Sequence, residues 1–536
     1  MTLVELVFDG SDSVGMTAHV SALANHGIID LDALHELSRH RALAKNHGID
    51  LEDMRGLLPL MQPAPVLDRE VTATRARRTD WSFGFITGHR ALVVIWIATL
   101  TLALNILHME LWRRSYQPHG IWEISWSWTS IIWAVAIGPV LFGTIGLLRY
   151  RHPDNLEDVQ PIDKLVALRI VSRGSNVDAL VANIGRCQFE MRRTPLFRYV
   201  IEVVVDEMYK DNGKKVYFDM SRMPKGRSIS YIVVPDDYRT PNGSMFKARA
   251  LQYALEKSPL GDNDWVVHLD EETQLTRSGI QGICLLISEE DDKELPCVGQ
   301  GAILYHRKWR EHPILTLADC VRTGDDFGRF FFQHSLGKTV FGLHGSYIVV
   351  RNDIEQQAGF DFGIQGSITE DAFWALVLMV LGVRTRWCYG YMEEQSTLSA
   401  LDFVKQRQRW WQGLVLVSKH APVGLRWRFC LGLNTLIWTL APFTALYTMA
   451  HFIYGFSVPI VITWLANIAF AYFITLYVVG LRANMRESND IGNSCASRFL
   501  WTCALMVLMP FFIAMEAFGV LRGIILPVSG FAVVHK

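Results

Sequence analysis

Three short stretches hold side chains whose types and spacing could do chemistry. In HLDEET (268–273), the carboxylates Asp270, Glu271 and Glu272 directly follow an apolar β-branched run. Hard oxygen donors of this kind suit Mg2+ or Mn2+, which bridge the phosphates of nucleotides. The same triplet also fits a solvated turn at a strand end. In GSITEDAFWAL (366–376), Glu370 and Asp371 stand just ahead of an apolar helical run. Acids there complement the helix dipole, with Thr369 or Ser367 as cap; the chemical alternative is a carboxylate poised as general base. In QRQRWWQG (406–413), Gln406, Arg409 and Trp410 stand at i, i+3 and i+4 of a stretch of helical composition and share one face. A guanidinium there can clamp a diphosphate through paired hydrogen bonds, and the indole beside it offers a flat platform for a sugar ring. The competing reading is an interfacial helix with Trp and Arg at headgroup level.

Elements able to position these groups follow from hydrophobic pattern. KLVALRIVSRG (164–174), YVIEVVVD (199–206), SISYIVVPDD (228–237) and DWVVHLDEE (264–272) are short apolar runs that close on turn or acidic residues. Helical stretches near 176–191 and 244–257 separate them, which predicts a parallel sheet covered on both faces. Ligands of such sheets gather at the carboxyl ends of the strands, where Ser172, Arg173, Asp206, Asp236 and Asp270 fall. No GxGxxG follows the first strand, which argues against a dinucleotide oxidoreductase.

The chain has 536 residues, 50% hydrophobic and 20% charged, a balance that fits a soluble domain joined to a few membrane spans. Residues 91–111 and 127–148, and later stretches near 429–450, 458–480 and 499–521, are long enough to cross a hydrocarbon core of roughly 30 Å. Arg75, Arg77, Arg78, Arg90, Arg149, Arg151, Arg426, Arg428, Arg482, Arg486 and Arg498 flank the spans on one side. The positive-inside rule then places the central domain in the cytoplasm, with Arg113 and Arg114 dissenting. Glu5 and Asp9 and the lack of a basic-then-apolar start argue against a cleaved signal peptide. Net charge −1 shows no basic excess of the kind nucleic-acid binders carry. Eight cysteines without a CxxC pair read as ordinary buried thiols. Residues 1–80 read as a helical appendage with a basic linker.

In combination the motifs are more specific than apart. EVVVD, YRTPNGSMFKARALQYALE, VVHLDEET, FDFGIQGSITEDAFWA and LDFVKQRQRWWQG occur in this order, and across residues 160–415 the chain resembles glycosyltransferase family two. Within that family it is most similar to the egghead-type β-1,4-mannosyltransferases. The resemblance implies an α/β fold: a GT-A, Rossmann-like domain with a mostly parallel sheet. It would occupy 151–398 on the cytoplasmic face, after two transmembrane helices (81–150). A QXXRW interfacial segment (399–428) and about three further transmembrane helices (429–536) would follow. It implies a membrane-bound inverting enzyme that moves a sugar, best matched by mannose from GDP-mannose, to a glycolipid or glycan acceptor. Ser172, Arg173 and Asp206 would line the base pocket, Lys247 would lie near the phosphates, and Gln406 and Arg409 would clamp the diphosphate. Asp270 and Glu272 match the metal motif for Mg2+ or Mn2+, with Glu271 competing for the second place. Asp371 matches the catalytic base, with Glu370 beside it. Trp410, His344, Gly345 and Ser346 fall on the acceptor side. Alternatives are a processive polysaccharide synthase using a UDP-sugar, a catalytically silent nucleotide-sugar sensor, or a transporter. The transporter reading rests on Glu516 inside the last apolar stretch; the competing reading is a glutamate packed near the break at Pro510.

Overall fold

The computed structural model describes residues 90–113, 127–151, 156–211, 214–290, 296–454 and 458–527. The appendage and linker expected over residues 1–80 lie outside them. With short helical turns left unlabelled, the elements begin with α1 (Arg90–Arg113), α2 (Ile137–Arg149), β1 (Leu165–Ser172), α3 (Val177–Arg193) and β2 (Arg198–Asp206). Next come β3 (Met208–Asp211), β4 (Lys214–Tyr217), β5 (Ile229–Val234), α4 (Phe246–Lys257), β6 (Trp265–Asp270) and α5 (Arg277–Glu290). Then follow β7 (Cys297–Arg307), α6 (Pro313–Asp325), β8 (Ile348–Arg351), α7 (Glu370–Val380), β9 (Arg384–Gln395) and α8 (Ala400–His420). The chain closes on α9 (Leu425–Tyr454), α10 (Ile460–Glu487) and α11 (Cys495–Ile525).

Seven strands form one sheet in the order β5-β2-β1-β6-β8-β7-β9, and β3 and β4 form a separate antiparallel ribbon. β5, β2, β1 and β6 are mutually parallel, β7 and β9 are parallel, and β8 runs antiparallel to β6 and β7. Apolar residues fill both faces because alternate side chains of a strand point oppositely. Val166, Leu168 and Ile170 of β1 join Leu180 and Ile184 of α3 and Ile280 and Ile283 of α5 in one core. Ala167 and Val171 join Leu251 and Leu255 of α4 and Trp374 and Leu378 of α7 in the other.

Register brings the chemical groups to one edge. Ser172 pairs with Val205, Val171 with Asp270, and Asp206 with Val234, so the carboxyl ends of four parallel strands stand level. β8 is antiparallel, with Ile348 opposite His268. The segment 344–347 leading into β8 therefore arrives at that same edge.

Among the described residues five helices are long and apolar enough to cross a membrane: Val93–Glu110, Thr129–Arg149, Leu425–His451, Ile460–Glu487 and Cys495–Ile525. Two precede the sheet and three follow it. The last two meet the sheet-bearing domain through more than apolar contact. Past Gly301 the backbone of β7 turns to side-chain acceptors: Ile303 N–H donates to Asp326 (3.0 Å) and Tyr305 N–H to Asn484 of α10 (2.6 Å). Trp309 N–H donates to Asp490 (2.9 Å). α6 lies so close to α10 that a Cβ on Gly480 would stand 1.7 Å from the Cys320 carbonyl oxygen. All eight cysteines are unpaired, as expected, but Cys495 and Cys503 are exposed on α11, where one face of a lipid-directed helix has no core to enter.

Gly480→Val should push α6 off α10 and lower stability by about 3 kcal/mol or more, because backbone cannot yield as a side chain does. Thermal unfolding of the detergent-extracted protein measures this; an unchanged Tm would contradict the tight seam.

Candidate active site

Lys247, in the first turn of α4, is the hub of the carboxyl edge. Its ammonium donates to Asp270 and to the Gly345 carbonyl (2.7 Å) and stands 3.6 Å from Glu370. Burial alone would lower its pKa, but Asp270 and Glu370 reverse this and keep the charge firmly in place. A methyl group on Gly345 would lie 3.2 Å from Lys247 Nζ, 3.3 Å from Asp371 Oδ2 and 3.6 Å from Asp270 Oδ2. Three charged groups from α4, β6 and α7 thus face one spot that carries no side chain. Backbone strain accompanies it: Phe246 and Tyr347, the neighbours of Lys247 and Ser346, have φ of 55° and 56°. Non-glycine residues enter the left-handed region only when packing over-determines them, and such positions cluster at functional sites.

α7 delivers Glu370, which is buried, and Asp371, which is half-buried. Neither expected cap operates. Thr369 occupies the N-cap position without a side-chain cap bond, and Ser367 instead accepts from Met245 N–H and donates to the Gly363 carbonyl. Asp371 itself takes the Ala372 N–H on Oδ1 (2.8 Å), which leaves Oδ2 turned toward Gly345. Burial first, then the charge of Glu370, raises its pKa to about 7 against the pull of Lys247. Beneath the cleft, His268 pairs with Glu355 (2.6 Å), which also holds Arg169 (2.8 Å). Burial would raise the Glu355 pKa, but Arg169 and His268 reverse the sign and hold this carboxylate ionised.

The acidic turn divides its carboxylates. Glu271 turns to β1 and accepts from Ser172 Oγ (2.5 Å). Glu370, Asp371, Asp270 and Glu272, in falling order, act on the guanidinium of Arg409, whose pKa burial would otherwise lower further. Among the described residues no three His, Cys, Asp or Glu side chains come together to hold a metal unaided. Two carboxylates plus phosphate oxygens are a usual magnesium environment, so the donor set fits a divalent cation that binds with its nucleotide. That Asp270 already draws an ammonium onto Oδ1 shows a position suited to positive charge.

QRQRWWQG lies in the middle of α8 and is not a surface curiosity. Gln406 is buried, and its amide oxygen accepts from Arg407 (2.7 Å), which fixes the orientation of its amide. Trp410 has two guanidiniums, Arg322 and Arg407, each 4.6 Å from its ring centroid. Trp411 donates to Thr439 of α9 (2.9 Å) and Gln412 to the Gly523 and Leu526 carbonyls of α11 (3.1 and 2.9 Å). Glu516 accepts from Arg407 (2.5 Å), so the acid that raised the transporter reading is an ion-pair partner. Gly413 permits α8 to touch the start of α7: a Cβ there would stand 2.4 Å from Thr369 Cγ2.

Other expected residues are placed less simply. Asp206 is paired with Arg249, and Arg173 donates to the Lys210 carbonyl (2.8 Å), so both are engaged within the protein at the mouth expected for the base. Ser346 was expected on the acceptor side, but it is buried; its hydroxyl donates to Thr273 (2.8 Å) and accepts from Asp270 N–H (3.3 Å), which makes it a brace for the acidic turn. His344 stands 3.3 Å from Asp326 with its ring on Phe330 (4.2 Å), and burial, then Arg322 and Arg329, press its pKa down to about 3. It is a neutral hydrogen-bonding group beside Gly345. Sequence reading missed Arg407, Arg322, Arg249 and Gly413. Only Gly413, a glycine inside a helical run, carried a local signal.

A family model described as glycosyl transferase family group 2 matches residues 265–515, from β6 into α11. The β-1,4-mannosyltransferase egh of Drosophila melanogaster is 32% identical over 405 residues, covering 74% of this chain and 84% of the fly protein. The chain belongs to this glycosyltransferase family. Bre-3, a β-1,4-mannosyltransferase, is 31% identical over 406 residues in Caenorhabditis briggsae (74% of this chain, 84% of that one). In Caenorhabditis elegans it is 28% identical over 460 residues (84% and 97%). The solved mannosyltransferase PcManGT from Pyrobaculum calidifontis, in complex with GDP-Man and Mn2+, superposes with TM-score 0.38 and 13% identity over 80% of this chain and 99% of its own. For the glycosyltransferase, Gly413→Val should separate α8 from Thr369 and lower turnover about tenfold or more, as small displacements of positioning elements do. Gly424→Ala, which meets open space, should leave turnover unchanged in the same assay.

Proposed function

We propose that this glycosyltransferase is a membrane-bound, inverting β-1,4-mannosyltransferase. It uses GDP-mannose and a divalent cation and glycosylates a lipid-linked or glycan acceptor at the cytoplasmic membrane face. The observation that carries the reading is the convergence of Lys247, Asp270 and Asp371 on Gly345, with Arg409 opposed by the same acids. The sugar and linkage follow the names borne by its relatives.

In this reading Asp270 and Glu272 would hold the cation, which when bound would supply charge neutralisation at the diphosphate. Arg409 and the Gln406 NH2 bind the diphosphate oxygens, and Lys247 keeps Asp270 and the Gly345 carbonyl in place. Asp371 accepts the proton of the acceptor hydroxyl on Oδ2, the oxygen that faces Gly345. Attack on the anomeric carbon from the face opposite the nucleotide inverts the configuration, and an α-linked donor gives a β-linked product. The nucleoside diphosphate leaves without a general acid. Trp410 supports the acceptor sugar, and the absence of a side chain at Gly345 leaves room for the reacting hydroxyl.

Asp371→Asn should lower turnover about 10²–10⁴-fold while donor binding persists. Because Asp371 must be ionised to act and its pKa stands at about 7, kcat/KM should rise with pH through a midpoint near 7. That limb should be lost in Asp371→Asn; a flat wild-type profile from pH 5 to 9 would remove Asp371 as the base. A panel of GDP-mannose, UDP-glucose and UDP-N-acetylglucosamine with Mn2+, scored by nucleoside diphosphate release, tests the donor. GDP release that EDTA abolishes is expected, and UDP release alone would support a UDP-sugar polymerase instead.

A further inference from the structure

Arg407 lies inside the QRQRWWQG stretch but not on the face shared by Gln406, Arg409 and Trp410. It is 1% exposed, and every edge of its guanidinium is used. Nε donates to Glu516 of α11 (2.5 Å), Nη2 to Asp319 of α6 (2.8 Å) and Nη1 to Gln406 (2.7 Å). The plane stands 4.0 Å from the Phe403 ring and 4.6 Å from the Trp410 ring. Asp319 also lies 3.8 Å from Arg322, whose guanidinium is 4.6 Å from the same Trp410 ring. Two guanidiniums and two carboxylates thus form a neutral cluster around one indole. Gly519 lets α11 come this close: a Cβ there would stand 2.7 Å from Arg407 Cβ.

Burying the Arg407–Asp319 pair at 1% exposure, with Arg322 and Glu516 at 21%, is a poor way to join helices. Apolar side chains of similar volume usually stabilise such a contact as well or better. What a guanidinium fixed by three directed hydrogen bonds adds is orientation. The oriented groups are Gln406, whose amide is turned by Arg407, and Trp410, whose ring lies against both arginines.

We infer that the Arg407–Glu516–Asp319 cluster is a positioning device: it sets the orientation of Gln406 and Trp410 and ties both to the last apolar helix of the chain. The inference rests on the reading of these two residues as donor and acceptor contacts. Arg407 and Glu516 touch neither substrate. They act through their neighbours, so α11 is part of the binding geometry and not only an anchor.

The test separates orientation from stability. Arg407→Met strips Glu516 of its ion pair, and Glu516→Leu leaves Arg407 with Asp319 as its one acid, so both should lower the yield and Tm of the extracted protein. The combined Arg407→Met/Glu516→Leu variant removes one charge of each sign, keeps the Asp319–Arg322 pair, and should regain yield and Tm. Its KM for the sugar nucleotide and for the acceptor should stay raised about tenfold or more. Arg407→Lys, which keeps the charge but loses the fork, should fold normally and show the same raised KM values. Wild-type KM values in either the double variant or Arg407→Lys would overturn the inference, as would a fall in kcat with both KM values unchanged. All arms use whichever sugar nucleotide supports turnover, so a wrong donor assignment changes the substrate in the tube and not the comparison.

Discussion

Like charges resist assembly, and the site of this glycosyltransferase is built around one solution to that problem. Asp270, Glu370 and Asp371 come from two elements and would repel one another on the dry edge of a sheet. The Lys247 ammonium stands among them and is anchored in turn to the Gly345 carbonyl. Its single positive charge does not neutralise all three; burial first, and then the Glu370 charge, hold the pKa of Asp371 above the usual carboxylate range. Arg409 approaches from α8 as the second cation. The site thereby combines a carboxylate whose pKa stands near neutral with two cations, one from α4 and one from α8.

That balance depends on elements from the whole chain. α4 and β6 belong to the first half of the sheet-bearing domain, α7 to the second, and α8 bridges to the long apolar helices α9 and α11. Each meets its neighbour at a place where bulk is absent: Gly345 at the charged spot, Gly413 at the junction of α8 and α7, Gly519 at that of α11 and α8. The Ser346 brace and the left-handed turns at Phe246 and Tyr347 fix the last few ångströms.

The local part of this was legible in the amino-acid order. Continuous apolar runs closing on acids gave the four parallel strands, and their polar termini marked the ligand edge. HLDEET, GSITEDAFWAL and QRQRWWQG supplied the acids and the clamp. Groups whose partners lie far along the chain were not legible. Arg407 reaches residues 88 and 109 positions away. The division of Glu271 from Glu272 depends on the Ser172 hydroxyl, which is nearly a hundred residues distant and reached only through strand register. β8 has four residues and β7 contains Gly299 and Gly301, so neither shows the strong alternation that marks a strand. Thr369 looked like a cap because its type and place were right, yet Gly413 presses it from the other side.

The side-chain acceptors along β7 carry a further meaning. Asp326, Asn484 and Asp490 do for this strand what a neighbouring strand would otherwise do, and two of them stand on or just beyond α10. A fragment cut at 398 would keep Asp326 but lose Asn484 and Asp490, baring the amides of Tyr305 and Trp309 together with the seam that Gly480 now closes. Such a surface invites self-association. α10 and the turn beyond it thus supply a wall to the enzyme's own sheet.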